Sequence, residues 1–342
     1  MELNDFKARL KSGDIVGCYI FSGEEDYLKR YYLASLREKA VTDDSFSAFN
    51  HSVYDGEEID FSAISVDIMS PPMIEPYKLI DWRYPNLDKM TEKELAELEK
   101  TADLVKSTDY AILAFLVSDG DIDLGTAKKP SKFVKRFGEK INILNFPKST
   151  DAQLLSWLKK HFDAEGIAVS AETLKALIFR AGHSMTVLNS ETIKLCMLAH
   201  AEGRGEIGVK DVEAVVASTI ECDTFAFSNA ILAKNKKAAF IALDEMKSRR
   251  VDPIMILGMM SKTYTDMVNV AMMLKDGINQ TDIQQLTKMQ PYKLGLYISA
   301  AKRYTPEGAG AVLRELARVD TGAKYGGVTG YTAIELFVSK HL

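Results

Sequence analysis

The sequence predicts an α/β N-terminal domain on a parallel sheet of about five strands, followed by all-α domains. Three observations lead there. Up to residue 146, short apolar runs alternate with segments of helical period. After Pro147 no convincing strand-like run follows. From residue 220 onward, breaks at Asn235, Asp252-Pro253, Gly277, Gln290-Pro291, Thr305-Pro306 and Gly326-Gly327 cut a helical pattern into lengths suited to a bundle.

Taken in order, residues 1–12 form an amphipathic helix with Leu3, Phe6 and Leu10 on one face. The apolar run from Ile15 to Phe21 is the first strand, Ser22 to Asp26 a tight turn, and Tyr27, Leu28, Tyr31, Tyr32 and Leu36 mark the next helix. Ala48 to Tyr54 is a second strand and Phe61 to Ile68 a short helix. Pro71, Pro72 and Pro76 then force a stiff extended loop, because proline neither continues a helix nor donates to a sheet. Tyr77 to Trp82 is the third strand, and Thr91 with Glu94 forms a capping box that opens a helix through Val105. Tyr110 to Val117 is apolar throughout, as in a buried parallel strand, Ser131 to Phe137 is a short helix and Ile141 to Phe146 the fifth strand. Beyond it, Asp151 caps a helix through Phe162, Ser170 and Thr173 open another, and Val187 to Ala201 and Val209 to Val216 follow.

Strand, tight turn and helix at the start of an α/β domain is where a phosphate loop sits. That loop needs G-x-x-x-x-G-K-[ST], so that backbone N–H groups, a Lys and a hydroxyl converge on phosphate and Mg²⁺. Here the turn is Ser22-Gly23-Glu24-Glu25-Asp26, and no Gly-Lys-Ser or Gly-Lys-Thr occurs anywhere in the chain. Three carboxylates would repel a triphosphate.

Other chemistry has little support. Asp81 stands where an ATPase carries its strand-end Mg²⁺ ligand, but Trp82 replaces the acid that usually follows, so a structural or vestigial Asp81 is the stronger reading. The five histidines lack metal-ligand spacing. Cys18, Cys196 and Cys222 are scattered among apolar residues, as reduced core thiols of a cytosolic protein are. No serine sits in a nucleophile elbow. Hence no catalytic, cofactor-binding or metal-binding residues are assigned. With a net charge of −5, no global field draws the chain to nucleic acid or anionic lipid. No apolar run suffices for a membrane span, and the polar start has no signal-peptide character.

Lys128, Lys129, Lys132, Lys135, Arg136 and Lys140, opposed only by Glu139, form a local basic stretch. It reads as a solvated face more readily than as a phosphate-backbone contact. Lys247, Arg249 and Arg250 read as helix-end cations. Gly322, Gly326, Gly327 and Gly330 read as a flexible loop rather than a phosphate cradle. The most unusual local feature is Pro71-Pro72-Met73-Ile74. It is either a loop folded back on its own domain or a rigid wedge with an adaptable Met anchor for a partner's pocket.

The order of motifs along nearly the whole chain resembles one family. Tyr19-Ile20-Phe21-Ser22-Gly23-Glu24-Glu25-Asp26-Tyr27-Leu28 supplies a strand, a Gly-acid-acid turn and an aromatic-Leu pair. Gly182 precedes Glu191, Lys194 and Leu195; Phe225 and Ala230 precede Ile231-Leu232; Lys236-Lys237 opens a helix through Leu243. Asp252-Pro253 leads to Leu257, Gln290-Pro291-Tyr292 opens a further helix, and Asp320, Lys324 and Gly326 precede a closing helix with Ile334 to Val338. In these features the chain is similar to the delta subunits of bacterial DNA polymerase III, which belong to the sliding-clamp loader. No motif is specific alone; their order and spacing are.

The resemblance implies an AAA+-like domain at 1–146 with a degenerate phosphate loop that binds no ATP, a small helical lid at 147–215 and a helical collar at 216–342. The collar would join the other loader subunits, delta prime and tau/gamma. The family's clamp-binding element falls at Pro71, Pro72, Met73 and Ile74, its apolar pair being Pro72-Met73 or Met73-Ile74. Where the family usually shows Leu-Phe or Phe-Phe, this chain has one strong anchor. The implied work is binding and opening the sliding clamp (the beta subunit) for loading on primed DNA. The implied place is cytoplasmic, at the nucleoid. No intrinsic catalysis is implied, and nucleotidyltransferase class applies only through the polymerase assembly. Two rival readings are an active P-loop ATPase, which saturable ATP binding would reveal, and a helical adaptor unrelated to replication, which would not co-purify with a clamp.

Overall fold

The computed structural model describes the chain except residues 127, 290, 304–305 and 325–329 and the side chains of 44, 220–221, 292, 306, 309 and 323–324. Gln290, Thr305 and Tyr325 to Gly327, invoked above as breaks or motif residues, therefore lie outside the described residues, as does the side chain of Lys324. The chain forms two compact units, Met1–Leu154 and Leu155–Leu342.

The first unit carries helices α1 (Leu3–Ser12), α2 (Asp26–Ala40), α3 (Ser47–Asn50), α4 (Phe61–Met69), α5 (Glu92–Lys106) and α6 (Lys132–Phe137). Its strands are β1 (Gly17–Ser22), β2 (His51–Asp55), β3 (Lys78–Arg83), β4 (Ala111–Leu116), a two-rung antiparallel hairpin of β5 (Gly125–Thr126) and β6 (Lys129–Pro130), and β7 (Ile141–Asn145). Five of these make one parallel sheet in the order β2-β3-β4-β1-β7.

The two-residue period of β1 sorts its side chains between two cores. Tyr19 and Phe21 pack with Phe6, Tyr32, Leu36 and Phe146 on one face. Cys18 and Ile20 pack with Ile64, Ile68, Leu98, Val105 and Phe137 on the other. Helices thus cover both faces, and β4, buried at every position, reads as one apolar run for that reason. The capping box at Thr91 and Glu94 is present with both of its hydrogen bonds.

Four local expectations are corrected. Residues 47–50 form a helical turn, so β2 begins at His51 rather than Ala48, and Asn50 at the junction turns inward. Tyr31 faces solvent: the inward stripe of α2 is Lys29, Tyr32, Leu33, Leu36 and Ala40, leaving Tyr31 stacked on Tyr27. Thr150, not Asp151, caps the following helix, because Gln153 reaches back to the Thr150 N–H at 2.9 Å. After Pro147 there are two short strands, described next.

The second unit is otherwise helical. It contains α7 (Asp151–Ala164, entered from the first unit), β8 (Ala168–Val169), α8 (Ala171–Ala181), α9 (Met185–Ala201), β9 (Glu206–Ile207) and α10 (Val209–Val215). The two-residue strands β8 and β9 pair in parallel. Then come α11 (Ile220–Ala233), α12 (Lys236–Ser248), α13 (Pro253–Lys275), α14 (Gln280–Thr287), α15 (Pro291–Ala301), α16 (Pro306–Lys324) and α17 (Gly330–His341). Asn235 caps α12, and Asp252 with Pro253 at the first helical position starts α13. Around α13, the buried Leu257, Met260, Tyr264 and Met267 meet Phe227, Leu243, Leu294, Leu316 and Phe337 in a single core. Gly322 lies inside α16 instead of a loop. Gly330 opens α17 where a Cβ would stand 2.5 Å from that of Pro253, so close helix packing requires the glycine.

Candidate functional site

Two places in the first unit bear on function: the β1–α2 turn, where a phosphate would be bound, and the loop between α4 and β3.

At the β1–α2 turn Gly23 has φ +103, and a Cβ there would lie 2.4 Å from the Phe146 oxygen. The turn is pressed against the end of β7. The Glu25 N–H donates to the Phe146 oxygen at 3.0 Å and the Asp26 N–H to the Glu24 oxygen at 3.2 Å. Amides that a phosphate cradle would aim at its ligand are therefore spent on the protein. A small cleft of about 230 Å³ remains, lined by Ser22, Gly23, Glu24, Ser118, Asp119 and Asn145. Its ionisable groups, Glu24 and Asp119, are acids.

A lysine is nevertheless present. Lys29, only 1% exposed, sends its ammonium back to the end of the sheet, 2.9 Å from the Val117 oxygen and 2.7 Å from Asp26. Sequence reading missed it because the phosphate-loop pattern was absent. A usable signal existed: Lys29 lies three, four, seven and eleven positions before the inward-facing Tyr32, Leu33, Leu36 and Ala40.

Asp81 is buried in β3 within a charge cluster. Arg83 grips it through two hydrogen bonds, 2.9 and 3.0 Å, and the His51 ring lies 3.1 Å away. Burial pushes its carboxyl up, but the hydrogen bonds from His51 and Arg83 outweigh that and hold it below the usual range. All its oxygens are engaged in the fold, which agrees with the structural reading. Cys18, Cys196 and Cys222 are buried, and burial raises the Cys18 thiol to about 12, so it stays protonated and unreactive at neutral pH.

The basic stretch has more opposition than Glu139. Helix α5 brings Glu92 and Glu99 to Arg136 at 2.8 and 3.3 Å, and Glu99 and Asp103 to Lys140 at 3.0 and 2.8 Å. Lys128, Lys129, Lys132 and Lys135 are exposed. At the end of α12, Lys247 pairs with Glu335 at 2.8 Å and Arg249 with Asp223 at 3.2 Å, so these cations join helices of the second unit.

The second place is the loop Ser70 to Tyr77. It leaves α4, whose last turns expose Val66 and Met69, and it presents Met73 and Ile74 at 46% and 78% exposure. Pro71 is exposed and Pro72 half-buried. The backbone is pinned on both sides of the tip. Met73 donates its N–H to Asn50 Oδ1 at 2.7 Å, and its carbonyl accepts from Asn50 Nδ2 at 2.8 Å. Glu75 accepts from the N–H groups of Thr42 and Asp43 at 3.0 and 2.7 Å and from the Thr42 hydroxyl. Between the pins, Ile74 has φ +68, in the left-handed region. For a β-branched residue that costs roughly 1–2 kcal/mol, and it persists where surrounding contacts over-determine it.

Fold and site together define an α/β domain on a five-stranded parallel sheet, with its β1–α2 turn closed on itself, joined to a largely helical region. Family comparison is then specific. A family model described as "DNA polymerase III, delta subunit" matches residues 19–146, and one described as "DNA polymerase III delta subunit, C-terminal domain" matches residues 221–341. The chain belongs to the family of DNA polymerase III delta subunits.

Similar proteins include "DNA polymerase III subunit delta" of Bacillus subtilis (strain 168), 23% identical over 336 residues, 96% of this chain and 94% of that one. "Probable DNA polymerase III subunit delta" of Aquifex aeolicus (strain VF5) is 26% identical over 257 residues, 72% and 69% of the two chains. Among solved structures, a Bacillus subtilis DNA clamp loader delta protein superposes with a TM-score of 0.59 at 20% identity, covering 99% of this chain and 98% of that one, which shows the fold. Among the described residues, no helix is long and apolar enough to cross a membrane.

Proposed function

We propose that this chain binds the sliding clamp through Met73 and Ile74 and opens it for loading on primed DNA. In this reading residues 1–146 are the clamp-binding domain, residues 147–215 a lid, and 216–342 a collar that assembles with delta prime and tau/gamma.

The observation that carries the reading is the loop tip: two adjacent exposed apolar side chains, one on strained backbone, with protein contacts fixing both neighbours. The Ile74 side chain gains no burial in the free chain, so its strain is borne by the hydrogen bonds to Met73 and Glu75 on either side, and an apolar side chain held out at that cost suits a partner's pocket. The exposed pair is Met73-Ile74, with Pro71 and Pro72 stiffening the approach. Pro72 is half-buried, so more of the exposed apolar surface at the tip belongs to Met73 and Ile74.

Magnitudes set what else is needed. Burying Met73 and Ile74 contributes roughly 1.5–3 kcal/mol each. A micromolar complex needs about 8 kcal/mol net. Val66 and Met69, on the helix leading into the loop, offer further exposed apolar surface close by in sequence.

Opening follows if the loop binds an open clamp interface better than a closed one, since a ligand shifts an equilibrium only by its differential affinity. No chemistry by this chain is required. The closed phosphate turn supports a division in which ATP acts on other loader subunits. The test is reconstitution. The purified chain should retain the cognate sliding clamp on gel filtration and co-assemble with the remaining loader subunits. Failure to retain the clamp or to assemble overturns the proposal.

A further inference from the structure

We propose that Asn50 is the positioning residue of the clamp-binding loop, holding Met73 in its binding arrangement before the clamp arrives. The inference rests on the clamp-binding reading above and assigns a role within that site to a residue outside the loop.

The geometry is specific. Asn50 ends α3 and precedes the edge strand β2, 23 residues from Met73 in sequence. Its side chain is fully buried although its type is usually exposed. The carboxamide faces the Met73 backbone with matched polarity: Oδ1 accepts the N–H at 2.7 Å and Nδ2 donates to the carbonyl at 2.8 Å. One side chain thus stands in for a strand partner and satisfies both backbone groups of a single residue. Alanine could do neither, and aspartate would lack the donor.

The consequence is energetic preorganisation. Three prolines limit the loop, but none fixes ψ at Met73 or holds Ile74 at positive φ. Without Asn50, Ile74 would relax toward ordinary extended backbone and the tip would sample many arrangements. Apparent affinity falls by the fraction of molecules in the competent arrangement, so a loop competent one-tenth of the time binds about tenfold more weakly with its contact residues intact.

The experiment is a double-mutant cycle on the full chain, titrating the cognate sliding clamp with wild type, Asn50→Ala, Met73→Ala and the double variant. Hydrogen exchange at the Met73 amide is followed in parallel. The expected result is about tenfold weaker binding and faster Met73 exchange for Asn50→Ala, with a further loss in the Met73→Ala background, where the backbone bonds to Asn50 remain and Ile74 still depends on them. Wild-type binding by Asn50→Ala, with Met73→Ala impaired, overturns the role of Asn50 and leaves the clamp-binding reading standing. Weaker binding by Asn50→Ala with Met73 amide exchange unchanged also overturns it, since Asn50 would then act on the domain at large. Wild-type binding by Met73→Ala overturns the clamp-binding reading and this inference with it. Should Asn50→Ala lack a cooperative thermal transition, Asn50→Ser replaces it: serine is too short to bridge both Met73 groups, and the same outcomes decide.

Discussion

Lys29 and Val117 meet at the carboxyl end of the sheet, the ammonium 2.9 Å from the carbonyl oxygen and sealed from solvent. This buried cation beside the β1–α2 turn is thereby committed to the fold, with Asp26 as its counter-charge. Replacing Lys29 with methionine keeps the stem and leaves the Val117 oxygen without this donor. It should lower unfolding free energy in urea by about 1–3 kcal/mol. Neither wild type nor Lys29→Met should bind ATP saturably in calorimetric titration; saturable binding by the wild-type chain would contradict the closed turn.

What was legible in the sequence follows from range. The sheet and the capping box at Thr91 and Glu94 are written in local periods and spacings, and they appear as expected. Lys29 escaped notice because its charge argued for a surface, although its spacing to Tyr32 and Leu36 argued for the core. The carboxylates facing Arg136 and Lys140 come from α5, some 37 to 44 residues earlier, so the stretch looked nearly unopposed. The loop between α4 and β3 was visible in its prolines and adjacent apolar pair. Its two pins, Asn50 and Glu75 with Thr42, join residues 23 and 33 apart and needed coordinates to be seen.

Asp81 makes a pH prediction. Its folded pKa is depressed, chiefly by His51 and Arg83 against the opposing effect of burial. Its contribution is present above the unfolded value near pH 4 and lost as pH falls through the lower folded value. Asp81→Asn should therefore be less stable than wild type by about 1–3 kcal/mol at pH 7. The gap should narrow below about pH 4. Urea titrations at pH 7, 4 and 3 check this. A gap independent of pH would assign the cost to packing instead of charge.

Ile74 should show opposed effects on stability and binding. Glycine accepts φ +68 without strain, so Ile74→Gly relieves roughly 1–2 kcal/mol while adding up to about 1 kcal/mol of backbone entropy cost. Thermal unfolding should shift by no more than a few degrees, upward or not at all. Clamp affinity should fall several-fold because an anchor is lost. A variant that is clearly destabilised yet binds normally would remove Ile74 from the interface.

The most direct measurement is equilibrium binding of the cognate sliding clamp to wild type and Met73→Ala, with unfolding midpoints recorded for both. Removing the Met73 side chain beyond Cβ from a filled pocket should weaken binding by about tenfold or more and leave the midpoint unchanged, since Met73 is exposed in the free chain. Equal affinities for the two proteins would contradict the account.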